Sequence, residues 1–286
     1  MSFPFARCAV ALAIVAVPGS SLACACGCGV FGVGGSALFP SGSGAVVSLE
    51  YDLADQNRNW SGGARAPAAA NADKQIRTGF YTARGQYMID RRWGVVAEVP
   101  VWDRTVRADE GPGVETIHTT GLGDIRVMGI YTGLSADMST GLVLGAKLPT
   151  GASGHPGLER DMQIGTGSTD LLLGAYHMGP VTRDRRWVYF VQGMWQRPIA
   201  YRADYRVGQE VNASAGVYYD GLAVAGGKVR IAPMLQLIAS NRSSDRGAQG
   251  DPANSGYHRL MVSPGVEINA GSVKLYADVE IPVAQQ

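Results

Sequence analysis

The feature that most constrains this chain is a two-residue alternation of apolar with polar or small side chains, which recurs from Ala45 to Ile281. It is clearest near the end, where Val273, Leu275, Ala277, Val279 and Ile281 alternate with Ser272, Lys274, Tyr276, Asp278 and Glu280. Successive side chains of a β-strand point to opposite faces, so each such stretch predicts a strand with one apolar and one polar face. Repeated segments of about ten residues with this pattern, separated by turn residues, are typical of transmembrane β-barrels.

About eleven segments follow the pattern, near residues 46–52, 77–89, 94–103, 123–131, 140–148, 170–177, 187–196, 211–219, 228–238, 259–268 and 272–281. We therefore predict an all-β fold, an antiparallel transmembrane β-barrel over residues 45–286. Single-chain bacterial barrels nearly always have an even number of strands, so we expect about 12. Either a last strand is missing from this chain, or one strand of the N-terminal region is not recognised.

The first 23 residues have the pattern of a secretory signal peptide. Arg7 precedes an apolar stretch over residues 8–17, which is too short to span a bilayer, and Ser21 and Ala23 fit a signal peptidase site. Cleavage would leave a Cys/Gly-rich segment over residues 24–44. Lipidation of Cys24 is an alternative, although Ser21 stands where a lipoprotein signal usually has a large aliphatic residue.

Charge and loop lengths agree with an exported membrane protein. Without Arg7, 24 Lys and Arg residues balance 24 Asp and Glu residues, so no nucleic-acid partner is expected. Connectors over residues 57–73, 107–120, 150–169 and 241–257 are long, whereas those over 133–138 and 219–227 are short. Long loops at one end and tight turns at the other are typical of the Gram-negative outer membrane. The expected partners are outer-membrane lipid and a small solute, and the oligomeric state stays open.

The polar faces of the strands supply the candidate site, because in a barrel they line the lumen. The candidate lumen residues are Arg84, Glu98, Asp124, Arg126, Lys147, Arg230, Glu267 and Lys274. The two signs of charge nearly balance, so many of these side chains should form pairs across the lumen. The functional interpretation is a polar solute channel with a charged constriction, and the alternative is a salt-bridged barrel that is mostly closed.

Aromatic residues gather near the predicted strand ends, where interfacial girdles would place them. They are Trp93, Trp102, Trp187, Trp195, Tyr87, Tyr131, Tyr201, Tyr205, Tyr218 and Tyr219. Aromatics are also common in strands generally, so position alone does not distinguish the two explanations.

Cys24, Cys26 and Cys28 are the only cysteines left after removal of the signal. Thiolates at this spacing can bind a soft ion such as Cu(I) or contribute to a zinc site, and they are poorly placed to form a disulfide with one another. This gives a second hypothesis, a metal-binding surface protein with copper or zinc at the cysteines and the barrel as its membrane anchor. Otherwise no cofactor is expected.

No sequence motif indicates an enzyme. Residues 165–168, Gly-Thr-Gly-Ser, resemble a phosphate-binding loop in composition but lack its lysine and its strand-to-helix context. No nucleophile-elbow sequence is present either. We therefore expect a protein without catalytic residues.

Three Gly-rich stretches, residues 121–125, 141–151 and 164–170, resemble the outer-membrane family of phenol-degradation meta-pathway transporters, and the resemblance covers roughly the barrel from Ala45 onward. It implies an outer-membrane barrel that passes small, often hydrophobic or aromatic, compounds. The Cys-x-Cys-x-Cys segment is not a general feature of that family. The leading hypothesis is therefore a non-enzymatic channel for small solutes.

Overall fold

The computed structural model describes residues 39–58, 60–61, 64–65, 67, 73–109, 113–253 and 255–285. Its strands are β1 (Gly44–Gln56), β2 (Trp60–Ser61), β3 (Ala64–Arg65), β4 (Asp73–Met88), β5 (Trp93–Asp109), β6 (Val114–Leu122), β7 (Arg126–Tyr131), β8 (Thr140–Lys147), β9 (Thr169–Pro180), β10 (Trp187–Ala200), β11 (Glu210–Tyr219), β12 (Leu222–Val224), β13 (Val229–Arg242), β14 (Tyr257–Ala270), β15 (Val273–Asp278) and β16 (Ile281–Gln285). Two 3₁₀ turns, Arg160–Met162 and Ala225–Gly227, are the only helical segments of this part of the chain. No helix among the described residues is long and apolar enough to cross a membrane.

Fourteen of the strands form one antiparallel sheet, in which neighbours in sequence are neighbours in space. Both β6 and β7 pair with β5, both β11 and β12 pair with β13, and both β15 and β16 pair with β14, so each of these three pairs occupies one position in the wall. The sheet path then has eleven positions, running from β1 to β15. This confirms the all-β antiparallel fold and the eleven strands recognised in the sequence. A twelfth position is not found among the described residues.

The sheet curls until its first and last strands face each other. Asp52 on β1 lies close enough to Asp278 and Glu280, at the other edge, for their charges to interact. Within the described ranges, however, β1 pairs only with β4, and β15 and β16 pair only with β14. The wall therefore encloses a lumen, and its two edges approach each other without strand pairing among the described residues.

Strand β13 illustrates how buried and exposed side chains alternate along the wall. Its even-numbered residues from Ala232 to Arg242 are all buried, and they include Gln236 and Ser240. The odd-numbered residues point out, where Leu235 is 53% exposed and Leu237 is 52% exposed. Gln236, Ser240 and Arg242 are thus inside, beside Met234 and Ile238, while the leucines are outside. Buried polar side chains together with exposed leucines are unlike a soluble protein and typical of a wall that faces lipid.

The five connections over residues 89–92, 132–139, 181–186, 220–228 and 271–272 lie at one end of the wall, which we call the turn end. The loops over residues 148–168, 201–209 and 243–256 lie at the other, the loop end. The predicted loop over residues 107–120 is wrong, because β5 continues to Asp109 and β6 begins at Val114. The Glu, Gly and Pro residues at 110–113 favour a loop in the sequence, and this signal conceals the strand residues on both sides of it.

Loop 148–168 folds over the inner face of β4, β5 and β6 where these strands reach the loop end. Met162 packs there against Ile76 and Val106, with Leu158 beside them. Arg104, which is fully buried on β5, donates hydrogen bonds from Nη1 to the carbonyl of Met162 at 2.6 Å and from Nε to Thr78 at 3.0 Å. The loop therefore covers part of the loop end of the lumen, and we call it the cap.

Candidate functional site: the lumen

Five of the eight predicted lumen residues line a single cavity of about 200 Å³ inside the barrel: Arg84, Glu98, Asp124, Arg126 and Lys147. The other three lie elsewhere on the inner face. Glu267 is buried on β14 and accepts a hydrogen bond from Asn269 at 2.8 Å, Arg230 pairs with Asp220 at 3.3 Å near the turn end, and Lys274 is exposed at the same end.

Strand register places five charged residues side by side across five adjacent strands. Arg84 is opposite Glu98, and Glu98 is opposite Arg126. Arg126 is opposite Lys147, which is opposite Asp170. We call Arg84, Glu98, Arg126, Lys147 and Asp170 the charge row. Residues directly opposite one another on neighbouring strands share a face, so the row forms an arc around the inner wall.

Ion pairs run along the charge row. Glu98 lies between two guanidinium groups, with Oε1 at 3.5 Å from Arg84 Nη1 and Oε2 at 3.7 Å from Arg126 Nη1. Lys147 Nζ lies 3.3 Å from Asp170 Oδ2 and 2.8 Å from Asp124 Oδ2. The row therefore presents paired charges of both signs to the cavity, as the near balance of signs in the sequence predicts.

Lys147 and Asp124 also fix the base of the cap. Asp124 occupies the break between β6 and β7, and it accepts hydrogen bonds from the backbone N–H groups of Gly151 and Thr166, each at 3.0 Å. Lys147 donates hydrogen bonds to the Thr166 hydroxyl and to Ser168. Residues 165–168, which resemble a phosphate loop in composition, are therefore a connector whose polar groups bind the wall.

Next to the charge row, further along the same strands towards the turn end, the inner wall is apolar. Phe39 lies inside the barrel with its ring centroid 5.0 Å from Tyr176 and 5.9 Å from Phe190. The buried cluster around these rings also includes Val96, Met128, Ile130, Leu172 and Met234. The cavity is thus lined by charges at the level of the charge row and by aromatic and aliphatic side chains nearer the turn end.

Phe39 and Arg104 are functional candidates that sequence reasoning missed. Nothing in the Gly- and Ser-rich stretch around Phe39 indicates that its side chain enters a lumen. For Arg104 a signal exists, because the inward alternation Glu98, Pro100, Trp102 continues through Arg104 and Val106. The predicted end of that strand at residue 103 stops one position short of it.

The cap and the neighbouring loops form a second polar cluster at the loop end. The Arg160 guanidinium carbon lies 4.5 Å from the centre of the Tyr205 ring, and Arg160 Nη2 donates to the carbonyl of Thr166 at 2.7 Å. Asp161 lies beside them, and burial, with repulsion from Glu159 and Asp245, raises its pKa to about 6. This cluster tethers the cap to loops 201–209 and 243–256.

The predicted metal ligands Cys24, Cys26 and Cys28, like the predicted signal peptide and most of segment 24–44, lie outside the described residues. In the part of the chain that the structure does describe, no group of three or more His, Cys, Asp or Glu residues could hold a metal ion. Copper or zinc binding by the three cysteines stays a prediction.

No protein-family model matches the chain, and no curated protein matches it. Among solved structures, the chain is similar to an outer membrane channel from Pseudomonas putida F1. The two share 12% sequence identity with a TM-score of 0.54, and the match covers 85% of this chain and 92% of that chain. At this identity the likeness establishes the fold, which is that of an outer-membrane-type β-barrel.

Proposed function

We propose that this protein is a non-enzymatic channel of the Gram-negative outer membrane that passes small solutes, including hydrophobic or aromatic compounds. The observation that carries the proposal is the arrangement of the charge row: its ion pairs line an internal cavity of a wall whose outer face exposes leucine, valine and tyrosine side chains. Such a wall is stable in lipid, and its interior can conduct polar or amphipathic molecules.

The composition of the cavity supports small amphipathic solutes. A single-ring compound could place its ring against Tyr176 and Phe39 and its polar group towards Arg84 or Arg126, since all four residues line the same cavity. Ligand sites combine apolar walls with a few polar groups that orient the ligand, and this lumen has both. The resemblance to phenol-degradation transporters implies the same solute class, and the likeness to the outer membrane channel from Pseudomonas putida F1 supports the location.

The experiment is planar-bilayer recording of the purified full chain, with simple phenols added to one side. Stepwise currents that single-ring phenols reduce reversibly, while aliphatic alcohols of similar size do not, are the expected result. Stepwise currents that phenols leave unchanged would support a channel but exclude aromatic compounds as its solutes. Silence from protein that has folded into the bilayer would contradict the channel itself.

A further inference from the structure

A second cavity, of about 590 Å³, lies at the loop end, and we call it the loop-end cavity. Its lining comes from the cap, from loop 243–256 and, in loop 201–209, from Tyr205. Residues 154–157 and Glu159, which the cap contributes to this lining, are exposed. The loop-end cavity therefore opens to the water outside the barrel.

Two of the segments that line the loop-end cavity also line the cavity inside the barrel, which we call the lumen cavity. Thr166 of the cap lines the lumen cavity, and so do Val207 and Gly208 of loop 201–209. Val207 follows Tyr205 by two residues, and two residues of chain span at most roughly 7 Å. The two cavities therefore come close to each other where the cap meets loop 201–209.

Arg160 and Tyr205 meet at this place, and we call their contact the septum. The Arg160 guanidinium carbon lies 4.5 Å from the centre of the Tyr205 ring, and both residues line the loop-end cavity. Arg160 also donates hydrogen bonds from Nη2 to the carbonyl of Thr166 at 2.7 Å and from Nη1 to the carbonyl of Gly165 at 3.2 Å. One side chain thus extends from the loop-end cavity to a residue that lines the lumen cavity.

The two sides of the septum are attached to different parts of the molecule. The Tyr205 hydroxyl donates a hydrogen bond to Asp245 Oδ2 at 2.5 Å, and Arg242, at the end of β13, donates to Asp245 Oδ1 at 2.7 Å. The Tyr205 ring is therefore tied to the wall, whereas the hydrogen bonds of Arg160 to Gly165 and Thr166 are with its own cap. Withdrawal of one guanidinium group from the ring would open the septum without moving the wall.

We propose that the loop-end cavity is the entry site for the solutes of the channel and that the septum is the gate between this site and the lumen cavity. The inference rests on the proposed function, because an entry site requires a protein that passes solutes. The lining of the loop-end cavity combines the Tyr205 ring with polar groups such as Glu159 and Gln249, which suits small amphipathic solutes. When Arg160 leaves the ring, the short route into the lumen passes from Tyr205 to Val207.

Thiol labelling measures how often the septum opens. Val207→Cys places a reporter in the lumen cavity and Gln249→Cys places one in the loop-end cavity, each in a chain whose own four cysteines are replaced by Ser. A charged methanethiosulfonate reagent that does not cross lipid is added outside vesicles that contain the full chain. The fraction labelled at Gln249→Cys gives the molecules whose loop end faces outwards, and the rate at Val207→Cys reports how often the septum is open.

Gln249→Cys should react rapidly in every chain, and Val207→Cys should react slowly while Arg160 is present. Arg160→Gln should accelerate labelling of Val207→Cys by about fivefold or more, because it removes the cation from the ring. Arg160→Lys keeps a cation there and should accelerate it less. Arg206→Gln is the matched control and should change nothing, since Arg206 stacks on Tyr201 at 5.4 Å in the same loop and neither residue lines either cavity.

Labelling of Val207→Cys at the same rate with and without Arg160, or slow labelling of Gln249→Cys, would overturn the proposal. If Arg160→Gln does not fold, Tyr205→Leu removes the other partner of the septum and must give the same acceleration. Single-channel recording of the same chains keeps the two proposals apart. Acceleration without any current would support the septum as the barrier between the cavities and contradict the channel, whereas currents without acceleration would support the channel and overturn the septum.

Discussion

The ammonium nitrogen of Lys147 lies 2.8 Å from Oδ2 of Asp124, with the two side chains only 4% and 6% exposed. This pair joins the end of β8 to the break between β6 and β7, at the point where the cap leaves the wall. Since Asp124 also binds the backbone of Gly151 and Thr166, one ion pair fixes both ends of the cap.

Replacing Lys147 by Met should destabilise the protein strongly, because it leaves the buried carboxylates of Asp124 and Asp170 without their counter-ion. Breaking a buried pair in this way costs about 3–5 kcal/mol. The measurement is the free energy of unfolding from denaturant titration in vesicles. Arg186→Gln, which breaks an exposed pair with Asp184, is the control and should cost at most about 1 kcal/mol. Equal effects in the two variants would contradict a structural role for the Lys147–Asp124 pair.

Leu235 and Leu134 allow a direct test of lipid contact. Leu235 lies midway along β13 and is 53% exposed, while Leu134 lies in a turn and is 55% exposed. If both positions faced water, Arg at either one would have a similar small effect on the free energy of unfolding. In a bilayer, Leu235→Arg should lower the free energy of unfolding by about 2–4 kcal/mol, and Leu134→Arg by about 0–1 kcal/mol. Matching small losses would argue against a membrane-embedded wall.

Glu98 should control ion selectivity, because it lies between Arg84 and Arg126. Glu98→Gln leaves both cations unopposed and should move the reversal potential in a KCl gradient towards anion selectivity. Arg126→Gln should move it the opposite way. Asp109→Asn, which removes the partner of Lys74 at the exposed end of β5, serves as control and should change little. Identical reversal potentials in all three variants would remove the charge row from the conduction path.

Phe39 narrows the lumen by filling space beside Tyr176 and Phe190. Phe39→Ala should therefore raise single-channel conductance. The loss in the free energy of unfolding should stay below the roughly 3–5 kcal/mol of a core Phe→Ala change, because Phe39 precedes the first wall strand. Ile238→Ala, which truncates a buried side chain on wall strand β13, is the comparison for this loss in the free energy of unfolding. Unchanged conductance in Phe39→Ala would place the conduction path away from this ring.

The cap should loosen as pH rises. The ordinary pKa of an Asp carboxyl is 3.8, and in the folded cap the pKa of Asp161 is about 6. The Asp161 carboxyl therefore binds its proton more tightly in the closed cap than in the open one. Closure is most stable below pH about 4 and weakens as the pH rises through about 6. Hydrogen exchange of residues 158–164, corrected for the intrinsic pH dependence, should accelerate by about tenfold or more between pH 4 and 7.

Asp161→Asn is the matched variant for that experiment, because it removes the titrating group and keeps the side-chain shape. Its corrected exchange should be flat over the same pH range. A flat profile in the unmodified chain would mean that Asp161 does not couple closure of the cap to protonation.

The strands and the charged face of the lumen were predictable because they depend on local alternation. The alternation within a single strand is enough to place Arg84, Glu98 or Arg126 on the inner face, independently of the neighbouring strands. Their order in one row depends on register between strands, which the sequence of a single strand does not contain. The same applies to Phe39 and to the fold of loop 148–168, whose positions depend on contacts with residues far away in the chain.

The reversed burial of β13 has a consequence for how such a sequence can change over time. Lipid accepts nearly any aliphatic or aromatic side chain, so an outward position constrains only the class of residue and not its identity. Insertion of one residue into a strand, by contrast, would turn its leucines into the lumen and its polar side chains into lipid. Chains of this architecture can therefore differ at most positions while length changes are confined to loops, and a shared fold at 12% sequence identity agrees with that rule.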